Sequence, residues 1–383
     1  MFWIDGILFL IFAANALYIL IYAMASLFRP NPKAAEATTC KRMAVLVPAY
    51  KEDKVIGECV QSLLNQDYPA EKCTIAVISD HMDEATNKKL AELPIELIVA
   101  TYENSTKSKA LNLAMSQLPD HDIALVFDAD NTVDPDFLKR INQAFVDPKV
   151  NIVQAHRTAK NLNTNLAYLD AASEEINNSI FRQGHVNLGL SASFIGSGMA
   201  FDYLLFKDSM SRIKAVGGFD RDLMLSLLKK GHHVGYLPDA YVHDEKVQSS
   251  QTFSNQRKRW LSAQFHYVGV YFKDFFPALF KGNWDFCDMY VQQLVLPRVI
   301  LVGFAFLLAL AASFIGPIGA LKWWIVFGAI ALALLISIPK RFYTPRLFAA
   351  LVALPETFFR MFLNFFKLKG ANKKFIHTPH GTK

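Results

Sequence analysis

Apolar residues are gathered into blocks too long for a soluble core to cover, and this distribution limits the fold before any motif is read. Met1–Phe28 is almost wholly apolar and Val291–Pro339 strongly so, while the stretch between them has the mixed composition of a globular domain. Over all 383 residues the chain is 52% hydrophobic, with a mean hydropathy of +0.19, more than an ordinary soluble enzyme carries. Ile4–Phe28 is long enough to cross a bilayer as a helix. Ala23-Met24-Ala25 imitates a signal-peptide cleavage site, but there is no positive n-region and the apolar core is too long, so a retained anchor is expected. Arg29, Lys33, Lys41 and Arg42 follow, and the positive-inside bias puts the next domain in the cytosol.

Leu294–Ile315 and Lys322–Ile338 read as two further spans, parted by Gly316-Pro317-Ile318-Gly319, and Lys340-Arg341 brings the chain back to the cytosol. Pro355, Glu356 and Arg360 interrupt Leu347–Phe366, which reads as an interfacial helix rather than a fourth crossing. His266–Lys281, rich in Phe and Tyr, reads the same way. The expected layout is an anchor (1–28), a linker (29–41), a cytosolic domain (42–265), interfacial helices (266–293), two spans (294–339) and an interfacial helix with a basic tail (340–383). This layout predicts a multi-pass protein of the cell's inner membrane. Its net charge of +6 suits anionic lipid and an anionic nucleotide. No nucleic-acid-binding module is present. Cys40, Cys59, Cys73 and Cys287 have no metal or redox spacing and read as reduced thiols.

In the central domain, strands are expected at Met43–Pro48, Thr74–Ser79, Ile95–Ala100 and Ile123–Phe127, with helices at Lys54–Gln66 and Leu111–Gln117. The alternation predicts a mixed, mostly parallel sheet with flanking helices. Three strand ends carry acidic or aromatic groups: Tyr50 and Glu52, then Asp80, then Asp128 and Asp130. Strand ends of a parallel sheet share one rim, so these residues are expected in one pocket. Two carboxylates at i and i+2 can hold a hard divalent cation against a diphosphate, whose oxygens and water complete the shell. A bare D-x-D is more often a solvated turn; its company is what counts.

That company is Val47-Pro48-Ala49-Tyr50-Lys51-Glu52, Ser79-Asp80, Lys107-Ser108-Lys109-Ala110-Leu111-Asn112, Asp128-Ala129-Asp130, Gly196-Ser197-Gly198 and Gln256-x-x-Arg259-Trp260. In this order, from about Arg42 to Gln264, they resemble the family 2 inverting glycosyltransferases of the GT-A fold. The flanking spans are similar to those of its membrane-anchored synthases of cellulose, hyaluronan, chitin and poly-N-acetylglucosamine. The resemblance implies that Tyr50, Glu52 and Asp80 hold the uracil and ribose of a UDP-sugar. Lys107, or Lys109 in its place, would meet the diphosphate. Asp128 would face ribose or metal, and Asp130 would be the principal Mg²⁺ or Mn²⁺ ligand. Gly196, Ser197 and Gly198 would border the acceptor sugar, Gln256 and Arg259 the pyrophosphate, and Trp260 would stack on the acceptor.

The general base is implied to be the aspartate of a Thr-Glu-Asp motif after a Gly-Gly-aromatic turn. Here Gly217-Gly218-Phe219 runs into Asp220-Arg221-Asp222-Leu223, with Arg221 where the family has glutamate. Asp222 aligns best, and Asp220 is the alternative. Asp244-Glu245-Lys246-Val247 departs from the synthases' Glu-x-Pro, and His243 is a candidate extra ligand. The tail Phe375-Ile376-His377-Thr378-Pro379-His380 resembles the synthases' gating loop. The expected activity is metal-dependent transfer from a UDP-sugar to a growing exopolysaccharide or other saccharide at the inner face of the membrane. The alternatives are single transfer to a polyprenyl phosphate or glycolipid, and a non-catalytic nucleotide-sugar-binding or channel subunit. A homo-oligomer or a partner export subunit would complete a translocation path that three spans leave scant.

Overall fold

The computed structural model describes residues 2–28, 37–352, 354–365, 380 and 381. Eight strands form one sheet: β1 (Met43–Tyr50), β2 (Cys73–Asp80), β3 (Glu96–Ala100), β4 (Ile123–Val126), β5 (Thr132–Val133), β6 (Ile152–Ala159), β7 (Met199–Asp202) and β8 (Gly235–Asp244). Their order is β3-β2-β1-β4-β7-β6-β8-β5. The half β3-β2-β1-β4 is parallel. β7 then runs antiparallel to both β4 and β6, β8 lies parallel to β6, and β5 pairs antiparallel with β8.

β1, β2 and β4 are largely apolar because both their faces are covered, while the edge strand β3 exposes Glu96 and Val99. Met43, Val45 and Val47 of β1 pack with α2 (Ile56–Leu64), α3 (Glu84–Ala91) and α5 (Phe137–Ala144). Ala44 and Leu46 point to the other face, toward α4 (Lys107–Gln117), α8 (Tyr203–Arg212) and α9 (Phe219–Lys229). This is the two-residue alternation of a strand.

α1 (Phe2–Ala25) and α13 (Pro317–Ser337) are long and apolar enough to cross a membrane. They run in the same direction. Near their amino ends Asp5 pairs with Lys322 and accepts from Trp323 Nε1 at 3.0 Å. Their carboxyl ends meet the domain where α6 (Asn165–Asn178) passes through a π-helical stretch (Ser179–Gly184) into α7 (His185–Asn187). Ser179 Oγ donates to Ser337 O at 2.8 Å, and Asn187 Nδ2 to Ala25 O at 2.8 Å. A Cβ on Gly184 would stand 2.1 Å from Tyr22 O, so only glycine lets α1 lie this close.

Three segments differ from expectation. The span expected at Leu294–Ile315 is broken: α11 (Trp284–Leu294) and α12 (Arg298–Ser313) meet at 59°. Pro297 restricts the residue before it to extended backbone and starts a new helix at Arg298. His266–Lys281 is not a separate interfacial helix. It is the second half of α10 (Ser250–Phe280), one helix that also carries Gln256 to Trp260. The region expected as one interfacial helix holds α14 (Pro345–Leu351) and α15 (Leu354–Phe365).

Candidate active site

A cavity of about 1090 Å³ opens at the carboxyl ends of β1, β2 and β4 and extends among α12, α13, α14 and α15. Tyr50, Glu52, Asp80, Lys107, Asp128, Asp130, Gly196, Gln256, Arg259 and Trp260 all line it. The strands deliver these groups through turns that cost conformational energy. Lys51 and His81, just past β1 and β2, both sit at φ 56°, which side-chain-bearing residues adopt only where surroundings impose it. Lys51 N donates to Asp80 O at 3.2 Å and locks the two turns together. Asp80 is buried and its Oδ1 contacts His81 Nδ1 at 2.6 Å, while the Tyr50 and His81 rings meet edge-on at 5.5 Å.

Beyond β4, Asn131 organises the two aspartates. Its Oδ1 accepts from Asp128 N at 3.1 Å and from Ser197 Oγ, and its Nδ2 donates to Asp130 Oδ1 at 3.2 Å. Asp130 Oδ2 accepts from Glu245 N at 2.9 Å. Lys107 Nζ bridges Asp128 and Gly196 O, the latter at 2.7 Å. Although burial opposes its ionisation, Asp128 is held below the usual carboxylate range by Lys107. Burial pushes the Asp130 carboxyl up to about 6, with the nearby charges of Asp128 and Asp244 acting in the same direction. A buried carboxyl beside another acidic group is a site that a cation relieves. The Asp128 side chain is 37% exposed, so one face remains open toward the cavity. No cluster of three His, Cys, Asp or Glu ligands occurs among the described residues. The pair therefore fits a divalent ion whose remaining ligands are phosphate oxygens and water.

The two base candidates part company. Both lie on α9, two residues apart, and such positions point about 200° away from each other. Asp220 lines the cavity, and a Cβ on Gly196 would stand 3.5 Å from its Oδ2. Asp222 is not among the lining residues; its Oδ1 accepts from Tyr271 OH at 2.8 Å on the far side of the helix. Burial raises the Asp222 carboxyl pKa despite that hydrogen bond.

Of the expected glycine-rich acceptor turn, only Gly196 reaches the cavity. Ser197 is fully buried, turned toward Asn131, and Gly198 N donates to Val126 O at 2.8 Å, so both serve to fasten β7 beside the aspartates. Lys109 Nζ donates to Asn104 O at 2.8 Å, and His243 Nε2 lies 2.9 Å from Asp134 Oδ1; neither residue lines the cavity. Arg259 lies close enough to feel both Asp128 and Asp220. The tail positions Phe375 to Pro379 lie outside the described residues, but His380 enters the cavity, with Nδ1 3.0 Å from Glu52 Oε1. Glu52, Asp130 and Asp128 together raise its pKa to about 9 against the effect of burial.

Sequence reasoning missed the charged floor. Arg157 and Arg182 both reach Glu174, at 3.1 and 3.0 Å, and Lys246 Nζ lies 2.7 Å from Asp244 Oδ1. It also missed Arg298, whose neighbourhood reads as the flank of an apolar span.

The sequence model of the family described as Glycosyltransferase like family 2 matches residues 41–263. A beta-monoglucosyldiacylglycerol synthase of Synechocystis sp. is 26% identical over 271 residues, covering 67% of this chain and 55% of that protein. An N-acetylglucosaminyltransferase of Rhizobium meliloti is 25% identical over 312 residues, covering 74% of this chain and 67% of that protein. The chain thus spans little more than half the length of the first relative. Among solved structures, the mannosyltransferase PcManGT from Pyrobaculum calidifontis, in complex with GDP-Man and Mn²⁺, aligns with a TM-score of 0.56 at 20% identity. That alignment covers 93% of this chain and 98% of the other. At that identity the likeness speaks for the fold, which is of the GT-A type.

Proposed function

The chain belongs to glycosyltransferase family 2, and from that membership we propose that it transfers a sugar, with inversion, from a UDP-sugar to an acceptor lipid at the inner face of the membrane. Tyr50, Glu52 and Asp80 hold the nucleoside, and Lys107 and Arg259 face the diphosphate. Asp128 and Asp130 hold Mg²⁺ or Mn²⁺, which when bound neutralises charge on the departing nucleoside diphosphate. An acceptor hydroxyl oxygen bonds to the anomeric carbon as that carbon's bond to the diphosphate oxygen breaks. Asp220, rather than the expected Asp222, takes the hydroxyl proton, because it is the aspartate of the pair that lines the cavity.

One observation carries the reading: a single cavity joins the acidic strand ends to the apolar helices α12, α13 and α15. A saccharide would lose hydration in the apolar arm without compensation, whereas a lipid tail would pass into it from the bilayer at little cost. By name, one relative makes a glucosyl diacylglycerol, which brings a lipid acceptor within the family's reach, and another transfers N-acetylglucosamine. Trp260, beside the cavity, favours chain elongation as a second reading. Product analysis separates the two. The purified protein in vesicles, given a panel of UDP-sugars, should release UDP only with divalent metal and leave one sugar on a lipid. A ladder of saccharide products would establish the elongation reading instead.

A further inference from the structure

The cavity has a second polar centre between the strand ends and the membrane helices. Among the described residues, five buried side-chain N or O atoms have neither a hydrogen bond nor an ion-pair contact: Ser209 Oγ, Gln256 Oε1, Arg257 Nε, Gln292 Oε1 and Arg298 Nη1. All but Ser209 belong to residues lining this cavity. Native proteins leave few such atoms, and a cluster of them marks where a ligand supplies the missing partners.

The charges around the centre say what kind of ligand. Arg157 and Arg182 are paired with Glu174, and Arg257 Nη2 reaches Asp170 Oδ1 at 2.6 Å. Arg298 takes part in no ion pair among the described residues. Its Nη2 donates to Ser173 O at 3.1 Å and Ser173 Oγ at 2.8 Å, both neutral acceptors, while Nη1 has none. Asp170 and Glu174, the nearest acids, are already engaged by the other arginines, and two of those arginines repel Arg298. Burying an unpaired guanidinium is costly, and an arriving anion would remove that cost. Next to Arg298 the cavity continues between Val302 and Phe306 of α12, Phe327 and Leu334 of α13, Leu351 of α14 and Phe358 of α15.

We infer that Arg298 and Arg257, with Gln256 and Gln292, form a subsite for the anionic headgroup of the acceptor lipid, whose hydrocarbon chain lies in the apolar arm. The inference rests on the transferase reading above and names its acceptor class as a phosphate-bearing lipid. Two sources share that chemistry. On a phosphoglycerolipid with a free hydroxyl, the hydroxyl oxygen attacks the anomeric carbon, Asp220 takes its proton and UDP leaves. On a polyprenyl phosphate, the phosphate oxygen itself attacks, no proton is released and Asp220 has no base to provide.

The test uses the full chain in phosphatidylcholine vesicles doped with diacylglycerol, with phosphatidylglycerol or with a polyprenyl phosphate, and reads UDP release and lipid product. One of the two phosphate lipids should be glycosylated and diacylglycerol should not. Asp220→Asn should abolish transfer to phosphatidylglycerol. Arg298→Gln should raise the acceptor KM about 10–100-fold, the range for losing a charged hydrogen bond, with kcat little changed, and Arg298→Lys should recover part of it. Because a variant can fail by misfolding, the wild-type protein is also extracted in detergent and its bound lipid identified by mass spectrometry. Retention of a phosphate lipid that uncharged lipid does not displace supports the subsite. Preferred glycosylation of diacylglycerol, or an Arg298→Gln variant that folds and keeps the wild-type acceptor KM, overturns it. No UDP release by the wild-type protein from any donor would instead overturn the transferase reading, while lipid retention still reports on the subsite.

Discussion

Exchanging each of the two α9 aspartates for asparagine should separate base from bystander. Asparagine matches aspartate in volume, so Asp220→Asn leaves packing intact and removes only the ability to accept a proton. A positioned base contributes about 10²–10⁴-fold, which corresponds to about 2.7–5.4 kcal/mol of barrier. Transfer to a hydroxyl acceptor should therefore lose that factor in kcat, with the donor KM nearly unchanged. Asp222→Asn should behave otherwise. Its Oδ1 accepts from Tyr271 OH at 2.8 Å, and an asparagine oxygen accepts equally well. Burial already disfavours the Asp222 charge, so neutralising it should hold or raise thermal stability and leave kcat near wild type. The assay is continuous UDP release with a hydroxyl acceptor, beside a thermal melt of each variant. A dead Asp222→Asn enzyme beside an active Asp220→Asn enzyme would refute the geometric argument outright.

Three further outcomes are expected. Chelation with EDTA should stop UDP release, Mn²⁺ or Mg²⁺ should restore it, and Asp130→Ala should not be rescued by either; metal-independent turnover would contradict the cation site. Gly198→Ala puts a Cβ 2.8 Å from Val242 Cγ2 at a φ of 62°, and should lower stability by about 1–3 kcal/mol. Adding Val242→Ala should restore the steric part alone, as read by melting temperature. Burial by itself would raise the Glu175 pKa, but His156, Arg341 and Thr158 hold it down to about 2 from an ordinary 4.5. Its stabilisation is thus present above about pH 4.5 and lost as pH falls toward 2. Glu175→Gln should flatten the acid limb of a stability-versus-pH curve over that window.

The parallel half of the sheet could be read from the chain because β1, β2 and β4 are short apolar runs with polar residues only at their carboxyl ends, the pattern that burial on both faces demands. The other half follows no such rule. β6 carries Gln154, Arg157 and Thr158 inward, and β8 contains Pro238 opposite a register shift at Ala155/His156, so both look like loop. α6 holds Asp170, Glu174 and Glu175 and resembles a solvated helix, yet all three are buried against arginines contributed by other elements. Pairing across such sequence distances has no local signature. The base ambiguity has the same origin: Asp220 and Asp222 are equivalent in composition, and only the phase of α9, which begins after Gly218 at φ 67°, tells them apart.

In the proposed reading, α10 would connect the chemistry to the membrane. Its first half brings Gln256, Arg257, Arg259 and Trp260 to the cavity, and its second half exposes Val270, Phe272, Phe276 and Phe280. Aromatic and aliphatic groups exposed together on one helix favour the bilayer interface over water. A rigid helix seated there would fix the height of the cavity above the headgroups, so that with the proposed lipid acceptor the arginines would not have to search for a molecule diffusing in the membrane plane. On this argument, Phe272→Ser with Phe276→Ser should weaken acceptor use in vesicles. Transfer to a short-chain, water-soluble analogue should be left alone, because neither phenylalanine lines the cavity.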